Sequence, residues 1–186
     1  MAITLLILTI HVPDVEVGRL VPLLLRMWPT LLIYVVSFVM VGTYWVAHHS
    51  MLHFIRAADR NLLYLNVLLL LTISIIPFPT ALIGQYTHTH AAVILYSANL
   101  ILVNTSGTLL WLYATSRPAL STAAVTPTLK KRVVALHMSP VLVYAAAAGA
   151  SFADFRISFV FLAAVPIFFI IPMPFISRML AESSSK

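Results

Sequence analysis

Three histidines lie close together in the sequence, His48, His49 and His53. His49 and His53 are four residues apart, so a helix would place them on one face, and imidazole is a good metal ligand. Together with His137 they make a metal-dependent membrane enzyme one alternative. We favour histidines that hydrogen-bond within the protein or at the membrane interface, because no second histidine cluster faces the first and complete ligand sets are scarce. We therefore predict no bound metal and no other cofactor.

Acidic and thiol groups offer little further chemistry. General acid–base catalysis needs titratable groups held beside a substrate, and ion-coupled transport usually uses a carboxylate inside the membrane. The chain has no cysteine, and its five acidic residues all fall in expected loops or at expected helix ends: Asp14, Glu16, Asp59, Asp154 and Glu182. The pattern predicts a protein that is not an enzyme, and it disfavours a coupled transporter.

Long uncharged stretches indicate the elements that must position these side chains. Hydrophobic residues make up 61% of the chain and charged residues only 9%, which is typical of an integral membrane protein. Four stretches contain no Asp, Glu, Lys or Arg: residues 27–55, 61–116, 133–153 and 157–177. The second is long enough for two helices, separated by a turn at "YTHTH".

These stretches predict an all-α membrane protein with six transmembrane helices, of which the first is truncated. We expect a single membrane domain over residues 1–186, with helices at about 1–11, 29–54, 61–85, 91–115, 133–152 and 157–180. The opening segment, "MAITLLILTI", would extend only about 15 Å as a helix, half of a hydrocarbon core about 30 Å thick.

Basic residues fall unevenly on the two sides of this arrangement. With the N-terminus in the cytoplasm, eight of the 11 Lys and Arg residues lie on the inner side and three on the outer side. Because short cytoplasmic loops are enriched in Lys and Arg, the distribution predicts a multi-pass protein of the cell membrane with both termini in the cytoplasm. Charges placed between apolar spans indicate orientation rather than a nucleic-acid partner.

Amides and prolines inside the spans have structural interpretations. Asn66, Asn99 and Asn104 are expected to hydrogen-bond between helices, with side chains such as Thr72 and Ser106 as partners. The prolines indicate helix kinks or helix ends. However, "IIPFP" and "IIPMP" recur at the ends of two predicted helices, which leaves open a secondary transporter built from a three-plus-three repeat.

The opening segment has the pattern of a pore-lining helix. Met1, Thr4, Leu5 and Leu8 share one helical face, on which Thr4 has the only hydroxyl. A channel without buried charges can close by an apolar constriction that excludes water, and oxygens beside it can replace water around an ion. The same face could instead contact lipid or pack in a core, and the pattern alone leaves both open.

Three stretches, taken in order, resemble one family: "AITLLILTIHVP", "YWVAHHSMLHFIRAADRNLLYLNVLLLL" and "PFPTAL". The chain resembles the prokaryotic relatives of the lysosomal potassium channel called transmembrane protein 175, most closely over residues 2–12 and 38–113. The most specific part of the likeness is formed by Tyr44-Trp45-x-x-His48-His49, Arg60-x-Leu62 and Leu65-Asn66.

The resemblance implies a six-helix subunit, four of which surround a pore lined by the first helix. In that family the first helix carries the motif Arg-x-x-x-Phe-Ser-Asp, with an apolar gate residue seven positions after the Phe. This chain begins after that motif. The gate position would fall at Met1 and the next polar ring at Thr4, with Leu5 and Leu8 on the following turns.

The resemblance also implies which side chains support the pore. The polar residues expected to partner the first-helix motif are Trp45, His48, His49 and Asn66. The implied function is a potassium-preferring cation channel subunit with a hydrophobic constriction, in which potassium is the permeant ion and not a cofactor. The implied partners are further copies of the chain in a homotetramer, the lipid bilayer and monovalent cations, with no nucleic acid.

Overall fold

The computed structural model describes residues 20–86 and 89–170, and within them the chain is helical. The helices are α1 (Leu20–Leu52), α2 (Arg60–Ile75), α3 (Pro77–Gln85), α4 (His90–Ser116), α5 (Pro127–Ala150) and α6 (Phe155–Ile170). The described residues contain no β-strand, only one isolated antiparallel pairing of Ile55 with Ser121. The predicted all-α fold is confirmed. The predicted first helix, residues 1–11, lies outside the described residues.

Four segments of the described chain are long and apolar enough to cross a bilayer. They are Tyr34–Leu52 within α1, Arg60–Gln85 formed by α2 and α3 together, and the whole of α4 and α5. Helix α6 contributes a shorter apolar segment, Phe155–Pro166. Because a hydrocarbon core of about 30 Å requires about 20 helical residues, the chain is a multi-pass membrane protein.

Two helices begin earlier than the charge pattern predicts. Helix α1 begins at Leu20 instead of about residue 29, and α5 begins at Pro127 instead of about residue 133. Thr126 Oγ1 accepts a hydrogen bond from the Leu129 amide at 3.1 Å, and Pro127 takes a first-turn position where its missing N–H needs no partner. Lys130–Arg132 therefore lie within α5, because long basic side chains can extend from a helix end to the headgroups.

The third predicted helix, residues 61–85, is interrupted at Ile76. Pro77 has no amide hydrogen, and the last turn of α2 tightens so that the Ile76 amide donates to the Ile73 carbonyl at 3.2 Å. The Thr72 carbonyl is left without its usual helical donor, and the Asn99 side-chain amide donates to it at 3.1 Å. Helix α3 then starts at Pro77, so the interpretation of this proline as a helix break is confirmed.

Helix α4 is the centre of the bundle and packs against α2, α3, α5 and α6. Asn104 Nδ2 of α4 donates to the Tyr44 hydroxyl of α1 at 2.8 Å, and Thr72 Oγ1 of α2 lies 3.2 Å from Ser106 Oγ of α4. The expected interhelical role of the amides is confirmed, although Asn99 bonds a backbone carbonyl rather than a hydroxyl. The largest fully buried side chains of α4 are Trp111, Leu100, Leu110, Val93 and Val103.

Asp59 links α2 to the end of α4. One carboxylate oxygen accepts from the Leu62 amide at 2.8 Å and caps α2, and the other accepts from the Tyr113 hydroxyl at 2.8 Å and from Arg117 at 3.0 Å. The Leu62 amide first, and then Tyr113 and Arg117, hold the pKa of Asp59 below its ordinary value. The sequence places Asp59 in a loop or at a helix end, and the bonds from Asp59 to Tyr113 and Arg117 were not predicted.

The two connections at this end of the bundle are also joined through the backbone. The Arg56 amide of the α1–α2 connection (residues 53–59) donates to the Leu120 carbonyl of the α4–α5 connection (residues 117–126) at 2.9 Å. The pairing of Ile55 with Ser121 lies beside this bond. Because the connections hold one another, the ends of α1 and α4 lie at the same side of the membrane.

We expect Asn99→Leu to lower the free energy of unfolding by about 1–2 kcal/mol, because the Thr72 carbonyl would stay buried without a donor. Leucine is close to asparagine in size, so packing changes little. Thermal unfolding in detergent micelles measures the effect. Ser74→Ala, on an exposed face of α2, is the matched control, and equal melting temperatures for the two variants would contradict our account of the break.

We expect Asp59→Asn to make the melting temperature less dependent on pH in acidic solution. A carboxyl group whose folded-state pKa is depressed stabilises the protein fully above its ordinary pKa of 3.8, and this stabilisation disappears as the pH falls toward the lowered value. The variant should therefore melt earlier at neutral pH and lose less on acidification. Asp154→Asn, at the other end of the bundle, controls for the loss of one carboxylate; identical pH curves for wild type and Asp59→Asn would refute the link.

Candidate functional site

The last turns of α1 direct polar side chains in two directions. His48 and His49 are neighbours, and successive helical residues point about 100° apart. His48 is half-buried and faces α2, whereas Trp45 and His49 are exposed. The four predicted supporting residues therefore form two separate pairs, His48 with Asn66 and Trp45 with His49.

The inward pair joins α1 to α2. His48 Nε2 lies 2.7 Å from the Asn66 side-chain oxygen. Because an amide oxygen only accepts, His48 carries a hydrogen on Nε2 and donates it. Helix α1 packs mainly against α3 and α6, so this bond is a direct polar link between α1 and α2, which otherwise contact each other little.

A small cavity lies beside His48, with a volume of about 10 Å³, about enough for one water molecule. His137 of α5 also lines this cavity, and its Nδ1 donates to the Val133 carbonyl at 2.9 Å. Gly107 of α4 lies against the ring, since a Cβ there would come within 3.2 Å of His137 Cδ2. This contact was not predicted, because its only sign in the sequence is a glycine inside an apolar helix.

The outward pair belongs to a column of rings on the exposed face of α1. The Trp45 and His49 rings are stacked, with centroids 5.4 Å apart and planes 9° apart, and His53 meets His49 edge-on at 4.9 Å. The histidines considered as a metal set are thus divided, because His48 and His137 line the cavity. In the described part of the chain no three His, Asp or Glu residues are grouped to hold a metal.

The predicted pore-lining residues Met1, Thr4, Leu5 and Leu8 lie outside the described residues, and their role stays a prediction. Most of the second proline motif, "IIPMP", lies outside them too. Among the described residues, the face of α1 that carries the predicted supporting residue Trp45 is exposed, with 61% of the Trp45 surface accessible.

Residues 1–77 match the sequence model of the family described as endosomal/lysosomal potassium channel TMEM175. The matched region contains the opening segment, α1 and α2. It therefore includes both the predicted pore residues and the two pairs of supporting residues.

Two similar proteins carry the name potassium channel. The one from Streptomyces collinus is 37% identical over 119 residues, which are 61% of this chain and 58% of that protein. The one from Chamaesiphon minutus is 42% identical over 88 residues, which are 46% of this chain and 43% of that protein. The matched part of this chain thus spans about half the length of these relatives.

The fold also has a solved counterpart. The crystal structure described as that of a lysosomal potassium-selective channel TMEM175 homolog from Chamaesiphon minutus superimposes with a TM-score of 0.78. The superposition covers 91% of this chain and 89% of that one, at 29% sequence identity. The sequence match over residues 1–77 and the shared fold agree: this chain is similar to proteins described as TMEM175 channels.

Proposed function

We propose that this chain is a subunit of a potassium-preferring cation channel that assembles as a homotetramer in the membrane. The observation that carries the proposal is the shared fold with a structure described as a potassium-selective channel, over 91% of this chain. The relatives named potassium channel support the same function. A channel lets ions pass without making or breaking covalent bonds, so the proposal includes no enzymatic activity and no cofactor. Potassium is the ion that passes.

In the proposed channel the opening segment lines the pore. Met1, Leu5 and Leu8 form apolar rings around the axis, and a narrow apolar ring stops ions because it expels the water that hydrates them. Thr4 adds a ring of hydroxyl oxygens, one from each subunit, that can replace part of the hydration shell of a monovalent cation. Selection among cations would then depend on the width at these rings rather than on a buried charge.

The His48–Asn66 pair, which joins α1 to α2, and the Trp45–His49 pair on α1 have different roles in this proposal. The His48–Asn66 bond at 2.7 Å holds α1 in position on α2, and so determines where its other faces point. Trp45 and His49 lie on the exposed face, where an indole N–H and an imidazole would find no partner in lipid. We assign this face to contact with the opening segment, which would bring the pore helix against a fixed wall.

The charge distribution supports both termini in the cytoplasm. The joined connections at the ends of α1 and α4 carry Arg56 and Arg117, with Arg60 and Lys130–Arg132 on the adjoining helix starts. At the other end, the turn between α5 and α6 carries Asp154, and Arg156 lies in the first turn of α6. By the positive-inside rule the basic end faces the cytoplasm of a cell membrane.

Purified protein in liposomes is expected to pass potassium faster than sodium and to exclude large organic cations. A pore limited by apolar rings admits ions that can shed water and rejects those that are too wide. Flux assays with a potassium gradient measure this, with protein-free liposomes as the blank. Equal passage of potassium and a large organic cation, or saturable counterflow typical of a transporter, would contradict the proposal.

The same flux assay can test variants of the residues that are proposed to line the pore. Leu8→Ala is expected to raise flux and weaken selectivity, because a smaller side chain widens the apolar ring. The matched control is Leu142→Ala on α5, whose side chain is 74% exposed on the surface of the bundle. If both variants change flux alike, or neither does, the opening segment is not the constriction.

We expect a double-mutant cycle of His48→Leu and Asn66→Leu to give a coupling free energy of about 0.5–1.5 kcal/mol, the range for hydrogen bonds between membrane helices. Unfolding in detergent micelles provides the measurement. Ser50→Ala with Asn66→Leu is the control cycle, since the Ser50 hydroxyl donates within its own helix to Val46. Additive effects in the first cycle would show that the pair does not hold α1 on α2.

A further inference from the structure

An open cavity of about 400 Å³ lies at the cytoplasmic end of the proposed orientation, away from the His48–Asn66 pair. It is bounded by the last residues of α4, by the α4–α5 connection and by Arg56 of the α1–α2 connection. None of the described residues that line it is an Asp or a Glu. Its polar walls are formed by Arg56, Thr115, Ser116, Ser121 and Thr122.

Arg56 brings a positioned positive charge to this cavity. Its Nε donates to the Ala119 carbonyl at 3.2 Å, and its backbone amide donates to the Leu120 carbonyl at 2.9 Å. The guanidinium is thereby oriented by the α4–α5 connection, and its two terminal nitrogens have no partner in the described part of the chain. A planar guanidinium with free terminal nitrogens matches the paired oxygens of a phosphate.

Two hydroxyls of the cavity wall are weakly used by the protein. Ser121 Oγ has a long bond of 3.4 Å to the Arg117 carbonyl. Thr122 Oγ1 is buried without any hydrogen-bond partner among the described residues. The Ser121 hydroxyl can rotate to donate to a ligand oxygen at little cost, so Ser121 and Arg56 are two donors that line one space. Thr122 Oγ1 is buried, so a ligand in the cavity would not contact it directly.

The charge balance at this end favours an anion. Among the described residues Asp59 is the only acid here, and it is already engaged with Arg117 at 3.0 Å. The last carbonyls of α4 oppose an anion with a charge equivalent to about −0.5, but the full charge of Arg56 exceeds it. Further positive charge stands on the first turns of α5, whose Lys130 carbonyl accepts from Trp111 Nε1 of α4 at 3.3 Å.

We propose that this cavity binds a phosphate group, with Arg56 as its principal contact. The cavity opens at the ends of the helices that form the spans Arg60–Gln85 and His90–Ser116. A bilayer crossed by these spans would place its headgroups near such helix ends. Basic pockets at the cytoplasmic ends of membrane helices recognise anionic headgroups in this way. The phosphate can come from an anionic phospholipid or from a soluble phosphate ester or ion, since the chemistry of recognition is the same.

Binding would have a structural consequence that does not depend on conduction. A phosphate held by Arg56 and by Ser121 would join the α1–α2 connection to the α4–α5 connection, beside the existing pairing of Ile55 with Ser121. The bound form should therefore unfold at a higher temperature than the free form, in proportion to the occupancy of the site. The readout remains valid if the protein conducts nothing.

The test measures binding of phosphatidylglycerol to the purified full chain by native mass spectrometry and by the melting temperature, with phosphatidylcholine as the neutral lipid. Arg56→Gln is expected to weaken phosphatidylglycerol binding by about tenfold, the loss of one charge-assisted contact. Arg60→Gln is the matched control, because Arg60 is exposed at the same end but contacts Tyr64 instead of the cavity. Arg56→Lys keeps the positive charge but removes the planar guanidinium, so it should lose less affinity for phosphatidylglycerol than Arg56→Gln.

Separate arms distinguish the sources of phosphate. If inorganic phosphate or glycerol phosphate raises the melting temperature in an Arg56-dependent way and phosphatidylglycerol does not, the site serves a soluble phosphate; the reverse result assigns it to lipid. Equal losses in Arg56→Gln and Arg60→Gln would reduce the effect to general surface charge and overturn the proposal. Equal binding of the neutral and anionic lipids would overturn it as well. If Arg56→Gln does not fold, Arg56→Lys against Arg60→Lys gives the same comparison.

Discussion

A backbone carbonyl inside a membrane must be bonded by the protein itself, and this constraint governs the middle of the bundle. Pro77 removes one amide donor, the end of α2 tightens, and the Thr72 carbonyl becomes free. Asn99 restores the missing bond from α4 at 3.1 Å. The helix break and the buried amide are therefore one feature, and α4, at the centre of the bundle, contributes the polar side chains that bond α1 and α2.

The same requirement explains how much of the fold could be predicted. An uncharged apolar stretch that crosses a bilayer must be helical, so the charge pattern predicts an all-α fold, and the described chain is helical. Pro77 follows the break between α2 and α3. The starts of α1 and α5 were missed because charges were taken as loop markers. In α5 the Thr126 cap and Pro127 decide the start, and Lys130–Arg132 are tolerated inside the helix because their side chains can extend to the surface.

The family likeness names Trp45, His48, His49 and Asn66 as one predicted group, but it does not indicate how they are arranged. In the structure, His48 of α1 bonds Asn66 of α2, whereas Trp45 and His49 stack on the exposed face of α1. Contacts between residues far apart in sequence could not be predicted for the same reason. The residues around Gly107 do not indicate that the His137 ring packs against it and leaves no room for a side chain. The periodicity of a sequence indicates which residues share a helix face, but the packing of the helices decides which faces are in contact.

Charges at the cytoplasmic end of the proposed orientation have more than one use, and their distribution shows why they do not cancel. Asp59 caps α2 and pairs with Arg117, so this acid and this base neutralise each other at the joined connections. Arg56 instead donates a hydrogen bond to the Ala119 carbonyl, so no described carboxylate neutralises its charge. In the proposed orientation this end carries the excess positive charge, and the cavity proposed to bind phosphate has Arg56 as a positioned guanidinium. Pairing Arg56 with a carboxylate would stabilise the connection locally, but it would neutralise the only cation among the described residues that line the cavity and would remove a charge that favours the cytoplasmic side.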